Sequence, residues 1–103
     1  MLMSSIIESS VPRNADWALA HVLSGRAVVS SIGTTIVRDG GDFRVYTNKY
    51  PGTCATLHGQ DVLVDTLNHY NGATFAFAPQ THVEFLSTAL ERTRAAVRIR
   101  SHR

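Results

Sequence analysis

The sequence has few of the residues that cross-link a small domain. Cys54 is its single cysteine, so one chain can form neither an internal disulfide nor a zinc site built from several thiolates. Such cysteine usage is typical of proteins from a reducing compartment. We therefore expect the protein to be cytoplasmic, and we predict no metal site and no cofactor.

Long apolar runs are also missing. No stretch approaches the roughly 20 apolar residues that a membrane helix needs, so we expect no membrane partner. The first ten residues have neither the basic start nor the apolar core of a secretory signal. At 103 residues, with 44% hydrophobic and 17% charged, the chain has the size and composition of one soluble globular domain. We predict a single domain over residues 1–103, with residues 1–11 as an N-terminal arm.

Acidic residues are absent from the last twelve positions, and these positions carry half of the basic residues. The formal net charge of +2 divides into +5 for these positions and −3 for residues 1–91. Nine of the ten basic residues are arginine, which binds phosphate and carboxylate groups in a fork. The pattern predicts contact with nucleic acid or an acidic partner, and residues 98–103 are expected to form a basic tail. The alternative is a solvated tail without a partner. The candidate residues are Arg92, Arg94, Arg98, Arg100 and Arg103.

Start and stop signals bracket a first helix of about ten residues between Asn14 and Gly25. Its apolar residues recur at helical spacing and predict a buried stripe. Trp17 and His21 are four apart and lie off that stripe, so they share one flank of the helix. A rigid aromatic ring on such a flank is typical of protein interfaces. We predict that Trp17 and His21 bind a partner; the alternative is that a strand edge or the N-terminal arm covers the ring.

The chain from Arg26 onward favours short strands, because β-branched and aromatic residues alternate with turn signals. A hairpin is predicted where Asp39-Gly40-Gly41-Asp42 joins two apolar runs. Phe75 and Phe77 are interpreted as core residues rather than as a platform for stacking bases. The predicted strands are residues 27–32, 34–38, 43–46, 53–58, 62–67 and 75–78.

A second helix is predicted from His82 to about Val97. Thr81 and Glu84 have the spacing of a capping box, in which each side chain accepts a hydrogen bond from the other's backbone amide. After Val97 the residues alternate with period two, which leaves a terminal strand or a disordered arm open. The predicted fold class is α+β: an N-terminal helix, an antiparallel meander sheet of four to five strands, and a C-terminal helix, with both helices on one face.

With these elements placed, the sequence resembles small orphan accessory proteins of phages and plasmids. The resemblance covers about half of the chain. It rests on Gly33-Thr34-Thr35, Tyr50-Pro51-Gly52-Thr53-Cys54-Ala55, Leu57-His58-Gly59, Asn68-His69-Tyr70, Thr74 and Thr81-His82. It implies an accessory protein of a mobile element, which binds and disables a host defence complex or regulates nucleic acids more often than it catalyses.

Residues that could carry chemistry do not form a recognised motif. Cys54 and His58 are four apart on a predicted strand, a separation of about 13 Å that excludes a thiol–base pair. Cys54 is therefore interpreted as a small buried hydrophobe. The histidines lack the spacing of a helical zinc motif, and His58, His69 and His82 are expected in turns or a first helical turn.

Three functions remain open. The leading hypothesis is a non-enzymatic, phage-type accessory protein that binds a host protein or complex, in the manner of an anti-CRISPR inhibitor. The second is a small nucleic-acid-binding regulator that uses the arginine-rich tail. The third is a small ribonuclease using Tyr46, Tyr50, His58 and an arginine. A homodimer is compatible with each.

Overall fold

The computed structural model describes residues 13–70 and 72–101, with side chains described as far as residue 97. Over this part of the chain the elements are α1 (Ala15–Leu23), β1 (Val28–Ser30), β2 (Thr34–Asp39), β3 (Asp42–Thr47), β4 (Cys54–His58), α2 (Gln60–His69), β5 (Phe75–Phe77) and α3 (Gln80–Ser101). The predicted α+β class is confirmed. None of these helices is long and apolar enough to cross a membrane. The predicted arm at residues 1–11, and Arg103, lie outside the described residues.

The five strands form one antiparallel sheet in the order β4-β3-β2-β1-β5. Strands β1 to β4 are a meander, and the predicted hairpin is confirmed, with Gly40 at a φ of 64° in its turn. The last strand does not join the end of this meander. It returns to the other side of the sheet and pairs with β1, where Phe77 lies opposite Val28. Strands β4 and β5 are therefore the two edges.

The main core lies between one face of the sheet and helices α1 and α2. Val28, Ile36 and Val45 lie side by side on neighbouring strands, and their side chains point to this face because strand residues alternate between faces. The stripe predicted for the first helix supplies the opposing surface. The buried residues of this core are Ala18, Val22, Val28, Ile36, Phe43, Val45, Leu63, Leu67, Ala73 and Phe75.

The segment predicted as a strand over residues 62–67 is helix α2, and that prediction is wrong. Its β-branched residues favour a strand, but a strand would place Asp65 on the same face as Leu63 and Leu67. The helix brings the two leucines together, since they are four residues apart. Both leucines are buried in the core, whereas Asp65 is exposed. Burial of the leucines without the carboxylate thus favours the helix over the local strand preference.

Helix α3 covers the opposite face of the sheet. Tyr46, which follows Val45 in β3, points to this face and packs with Leu86 and Leu90. Thr35 lies beside Tyr46 in the register, and its hydroxyl is 3.1 Å from His82 Nε2. The N-terminal and C-terminal helices thus lie on opposite faces, which differs from the expected arrangement on one face. The reason is that α2 occupies the first face beside α1 and leaves the second face to α3.

The beginning of α3 also differs from the prediction. The carbonyl of Pro79 accepts hydrogen bonds from the amides of His82 (3.0 Å) and Val83 (3.1 Å), so the helix begins at Gln80 rather than at His82. The side chain of Thr81 makes no hydrogen bond within residues 13–70 and 72–101, and Glu84 Oε1 instead lies 3.5 Å from Gln80 Nε2. The predicted capping box is therefore wrong.

The end of α3 settles the two options left open for the tail. The helix continues to Ser101, so neither a strand nor a disordered arm follows Val97 in the described chain. The backbone of Arg98 and Arg100 is helical, and residues 98–101 of the predicted basic tail are the end of this helix.

We predict that the Asn14 side chain stabilises the fold as the N-cap of α1, whereas the Thr81 side chain makes no such contribution at α3. Asn14 Oδ1 accepts a hydrogen bond from the Trp17 amide at 3.2 Å, so Asn14→Ala should lower the free energy of unfolding by about 1 kcal/mol. Thr81→Ala should change it by less than about 0.5 kcal/mol, as an exposed substitution without a lost contact does. Urea denaturation of the two variants makes the comparison, and an equal loss in both would reinstate the capping box.

Candidate functional site

The second half of α3 extends beyond the sheet and forms an exposed basic surface. Leu86 and Leu90 are buried, but every residue from 91 to 97 is exposed. We call residues 91–101 the overhang; at 1.5 Å per residue it is about 16 Å long. The overhang contains Glu91 and the arginines Arg92, Arg94, Arg98 and Arg100.

Before the overhang begins, helix α3 crosses the strands along one row of paired residues. Thr35 of β2 pairs with Tyr46 of β3, which pairs with Cys54 of β4. His82 contacts the first of these residues, and the buried leucines of α3 pack at the other two. After Leu90, Thr93 approaches Gly52, which lies two residues before Cys54 in the loop that leads into β4. Helix α3 therefore passes over β2, β3 and β4 in turn and leaves the sheet over the β4 edge.

The loop before β4 holds the base of the overhang. A Cβ atom placed on Gly52 would lie only 2.4 Å from Thr93 Oγ1, and the residue has a φ of 99°. Glycine is the residue that tolerates both the left-handed backbone and this close approach. The same loop exposes Lys49 and Tyr50, with the Lys49 ammonium 5.6 Å from the tyrosine ring centroid. An exposed aromatic ring and a further positive charge thus lie in the loop that contacts the overhang.

A hydrogen-bond network centred on the buried Thr35 hydroxyl anchors the other end of α3. The Thr35 hydroxyl donates to Asn48 Oδ1 at 2.8 Å. A hydroxyl has one proton to donate, so His82 Nε2 must donate to Thr35 Oγ1 at 3.1 Å. Thr35 is completely buried. Its two hydrogen bonds join α3, strand β2 and the loop that contacts the overhang, since His82 and Asn48 belong to the first and the last of these. The direction in which the overhang leaves the domain is consequently fixed.

The two arginines whose side chains are described lie on different sides of the overhang. Arg92 follows Leu90 by two residues, about 200° around the helix, and so faces away from the sheet. Arg94 follows Leu90 by one turn and lies on the sheet side. Its nearest acidic atom, Glu91 Oε1, is 3.9 Å from Nη1, and an exposed pair at that distance contributes little to stability. Both guanidinium groups therefore remain available to a ligand.

The predicted partner-binding residues of α1 belong to a separate cluster at the β5 edge. The Trp17 and His21 rings lie 4.5 Å apart, and the Phe77 ring lies 4.9 Å and 4.8 Å from them, respectively. Guanidinium groups lie over two of these rings, that of Arg13 5.2 Å from Trp17 and that of Arg26 4.0 Å from Phe77. We call these five residues the aromatic patch. Contact between Trp17 and His21 was predicted from their spacing, whereas the contribution of Phe77 depends on the pairing of β5 with β1.

Trp17 is partly covered by its own chain. It is half-buried and packs against the first core, with Phe77 of an edge strand on one side. This matches in part the alternative in which a strand edge covers the ring. Contact between Trp17 and a partner stays a prediction.

The ribonuclease hypothesis used Tyr46, Tyr50, His58 and an arginine, and of these the structure brings together Tyr46 and Arg44, whose Nη1 lies 3.4 Å from the tyrosine hydroxyl. Tyr46 is buried beneath α3, and its pairing partner Cys54 lies four residues from His58 along β4, about 13 Å for an extended strand. Tyr50 lies in the loop before that strand. Cys54 is half-buried and packs against the cluster formed by Tyr46 and the α3 leucines, as a small hydrophobe would.

Polar side chains nearby are paired with each other. His58 Nδ1 lies 3.2 Å from Asp42 Oδ2, and Arg44 Nε lies 3.0 Å from Asp39 Oδ2. A hydrogen bond to Tyr46 and the nearby Asp39 charge raise the pKa of the Arg44 guanidinium, which therefore stays charged. Within residues 13–70 and 72–101, no three histidine, cysteine or acidic side chains are grouped as metal ligands.

A cleft of about 430 Å³ lies between the start of α1 and the end of α2. Arg13 and Asp16 line it on one side, and Tyr70 and Thr74 line it on the other. The charged groups are of opposite sign, and no nucleophile–base pair is among the lining residues. The candidate sites of the described chain are therefore the overhang and the aromatic patch rather than this cleft.

Comparison with known proteins identifies no matching family model, and no curated protein or solved structure matches the chain.

We predict that Thr35 secures α3. Thr35→Val removes the hydroxyl but keeps the shape, which leaves Asn48 Oδ1 and His82 Nε2 without their partner. The free energy of unfolding should fall by about 1–3 kcal/mol, the usual net contribution of two intramolecular hydrogen bonds. Thr66→Val is the matched control, because that hydroxyl bonds only the Val62 carbonyl of its own helix and should cost less than about 0.5 kcal/mol. Equal denaturation midpoints for the two variants would contradict this anchoring role.

Proposed function

We propose that the protein is a small nucleic-acid-binding protein that contacts phosphate groups through the overhang. The observation that carries this proposal is a helix that packs on the sheet through Leu86 and Leu90 and is exposed at every residue from 91 to 97. Positive charge on a projecting helix is the electrostatic footprint of a nucleic-acid-binding surface. An acidic body behind it adds orientation, because the rest of the chain is repelled by the same phosphates.

The outward side of the overhang suits contact with a nucleic-acid backbone. The overhang is about 16 Å long, and each strand of a DNA duplex carries one phosphate per about 3.4 Å of helix axis. Its arginines can form bidentate bonds with phosphate oxygens. Such contacts hold the backbone without reading the sequence, so the expected binding is non-specific in the first instance. Tyr50 and Lys49 add an aromatic ring and a charge beside the base of the helix.

We predict that the overhang accounts for the salt dependence of binding. Arg92→Gln/Arg94→Gln should weaken binding to a DNA duplex and lower the slope of log affinity against log salt by roughly one to two units, about one for each of these arginines that contacts a phosphate. The slope is measured by fluorescence anisotropy over a series of salt concentrations.

The control variant for this experiment is Arg13→Gln/Arg26→Gln, which removes the same charge from the aromatic patch. It should reduce affinity less and leave the slope nearly unchanged. If the two double variants behave identically, only net charge matters and the overhang is not the contact surface. If the parent protein does not bind duplex DNA or single-stranded RNA at low salt, the proposed function is wrong.

Protein binding at the aromatic patch is the second candidate. The patch combines tryptophan and arginine, which are enriched among the residues that dominate interface energies. Trp17, His21 and Phe77 are all half-buried, and a partner at the patch would bury the remaining surface of each ring. This candidate corresponds to the phage-type inhibitor of a host defence complex that the sequence resemblance implies.

We predict that Trp17 contributes more to such binding than to folding. Because the ring is half-exposed, Trp17→Ala should cost less stability than the about 3–5 kcal/mol lost on truncating a fully buried tryptophan. A partner at the patch should lose at least about 2 kcal/mol of binding energy. Urea denaturation measures the first quantity, and quantitative affinity purification from host cells measures the second. Phe85→Ala, an exposed ring on α3, is the control; a stability loss of the full size would assign Trp17 to the core.

A further inference from the structure

The outer edge of strand β4 carries backbone groups without partners in the described chain. Asp39 and Asp42 flank the two-residue turn of the hairpin and are the directly bonded pair. Because the bonding direction alternates along an antiparallel strand, Val45 bonds Ala55, and the backbone groups of Thr56 point away from β3. Cys54 and His58 point outward in the same way. Three alternate residues of β4 thus offer backbone hydrogen-bond donors and acceptors at one edge of the sheet.

Features that usually block such an edge are missing from β4. Native edges are commonly protected by lysine, proline or a bulge, yet the strand reads Cys-Ala-Thr-Leu-His and its register with β3 is continuous. Ala55 and Thr56 are small and exposed. The opposite edge differs, because the Phe75 amide of β5 donates to the Arg13 carbonyl at 2.9 Å. Strand β4 is accordingly the edge that another strand can join.

The overhang leaves the domain over this same edge. Thr93 and Val97 follow Leu90 by three and seven residues, so they continue the side of α3 that packs on the sheet. Val97 is 58% exposed, since its own sheet ends at β4. A second sheet joined to β4 would extend beneath it. One neighbouring sheet in this position would therefore both pair with β4 and cover the exposed Val97 side of the overhang.

We propose that the protein forms a homodimer in which two β4 strands pair antiparallel and each overhang packs on the partner's sheet. Thr56 is the central outward-facing residue, and the two-fold axis passes between Thr56 and the partner's Thr56. Two five-stranded sheets then become one continuous sheet, with both α3 helices on one face. The occupant of the edge is a second copy because the charges of the two chains complement each other along the path of the helix.

The register determines what lies beneath the overhang. With Thr56 paired to the partner's Thr56, Cys54 lies opposite the partner's His58. The row followed by α3 then continues through the partner's Asp42 and the partner's Asp39, since these residues pair across the strands. At about 4.8 Å between neighbouring strands, the three partner strands lie about 5, 10 and 14 Å beyond β4. An overhang of about 16 Å spans them.

Charge favours this arrangement. From its sequence the overhang has a formal charge of +3, from four arginines and Glu91, and it crosses two carboxylates of the partner. The side chains of Asp39 and Asp42 are 53% and 44% exposed despite their existing ion pairs. Arg94, on the sheet side of the helix, is placed to meet them. Arg92 faces away from both sheets, so dimer formation leaves it accessible to phosphate and does not depend on the proposed function.

Sedimentation equilibrium on the parent protein and two variants of Thr56 tests the pairing. The parent and Thr56→Val, which keeps the backbone amide, should have twice the 11.3 kDa chain mass. Thr56→Pro removes an outward amide that the single chain does not use, and it should sediment as a single chain with an unchanged circular dichroism spectrum. Two results would overturn the proposal. One is a parent protein that is still a monomer at about 100 μM, because the dimer dissociation constant would then exceed that concentration. The other is a Thr56→Pro variant that is still a dimer.

A cross-linking experiment decides the matter if Thr56→Pro unfolds. Directly bonded antiparallel residues have Cα atoms about 5.5 Å apart, within the range that a disulfide can bridge. In a Cys54→Ala background, Thr56→Cys should therefore form a covalent dimer with oxidised glutathione, and Thr88→Cys on the exposed part of α3 should not. Equal cross-linking at both positions would contradict the pairing.

The contact of the overhang is tested separately by Val97→Asp. This change places an unpaired charge against the partner's sheet, and it should raise the dimer dissociation constant at least about tenfold, whereas Phe85→Asp on another side of the helix should not. Unchanged dissociation constants for both would limit the interface to the strands and overturn the part assigned to the overhang. Loss of DNA binding with the dimer intact would refute only the proposed function.

Discussion

Two adjacent residues of β3 pack against the helices on opposite faces of the sheet, and the remaining architecture depends on this packing. Val45 packs into the core under α1 and α2, while Tyr46 packs under α3. Strand geometry requires neighbouring side chains to point in opposite directions, so the central hairpin is held between two layers of helices. With both sides of the hairpin covered, α3 has a fixed position from which the overhang can project.

The buried network around Thr35 makes that position specific. Apolar packing alone would tolerate small rotations of α3, because hydrophobic burial is not directional. A hydroxyl that serves both Asn48 and His82 restricts the helix to one orientation, since moving any member would leave a buried polar group unsatisfied. Gly52 restricts the other end through its close approach to Thr93. The basic side chains beyond this point therefore leave the domain on a rigid support.

The same geometry explains why the β4 edge and the overhang belong together. Helix α3 runs along the row formed by Thr35, Tyr46 and Cys54, so its end must pass over β4. A helix that crosses a sheet and continues past its edge leaves apolar side chains without a surface, and a strand at an open edge leaves backbone groups without partners. One neighbouring sheet would satisfy both, which is the basis of the proposed dimer.

The sequence by itself determined the parts that depend on local chemistry. Glycines at 40 and 41 predicted the hairpin, Asn14 predicted the start of α1, and the four-residue spacing of Trp17 and His21 predicted their contact. The arginine-rich end was also evident from composition. Tertiary structure decided the rest: α2 is a helix because only a helix buries Leu63 and Leu67 without Asp65, and α3 covers the second face because α2 occupies the first. Long-range pairing placed Phe77 beside Trp17 and directed the overhang across β4, contacts between residues too distant in sequence for any local pattern to encode.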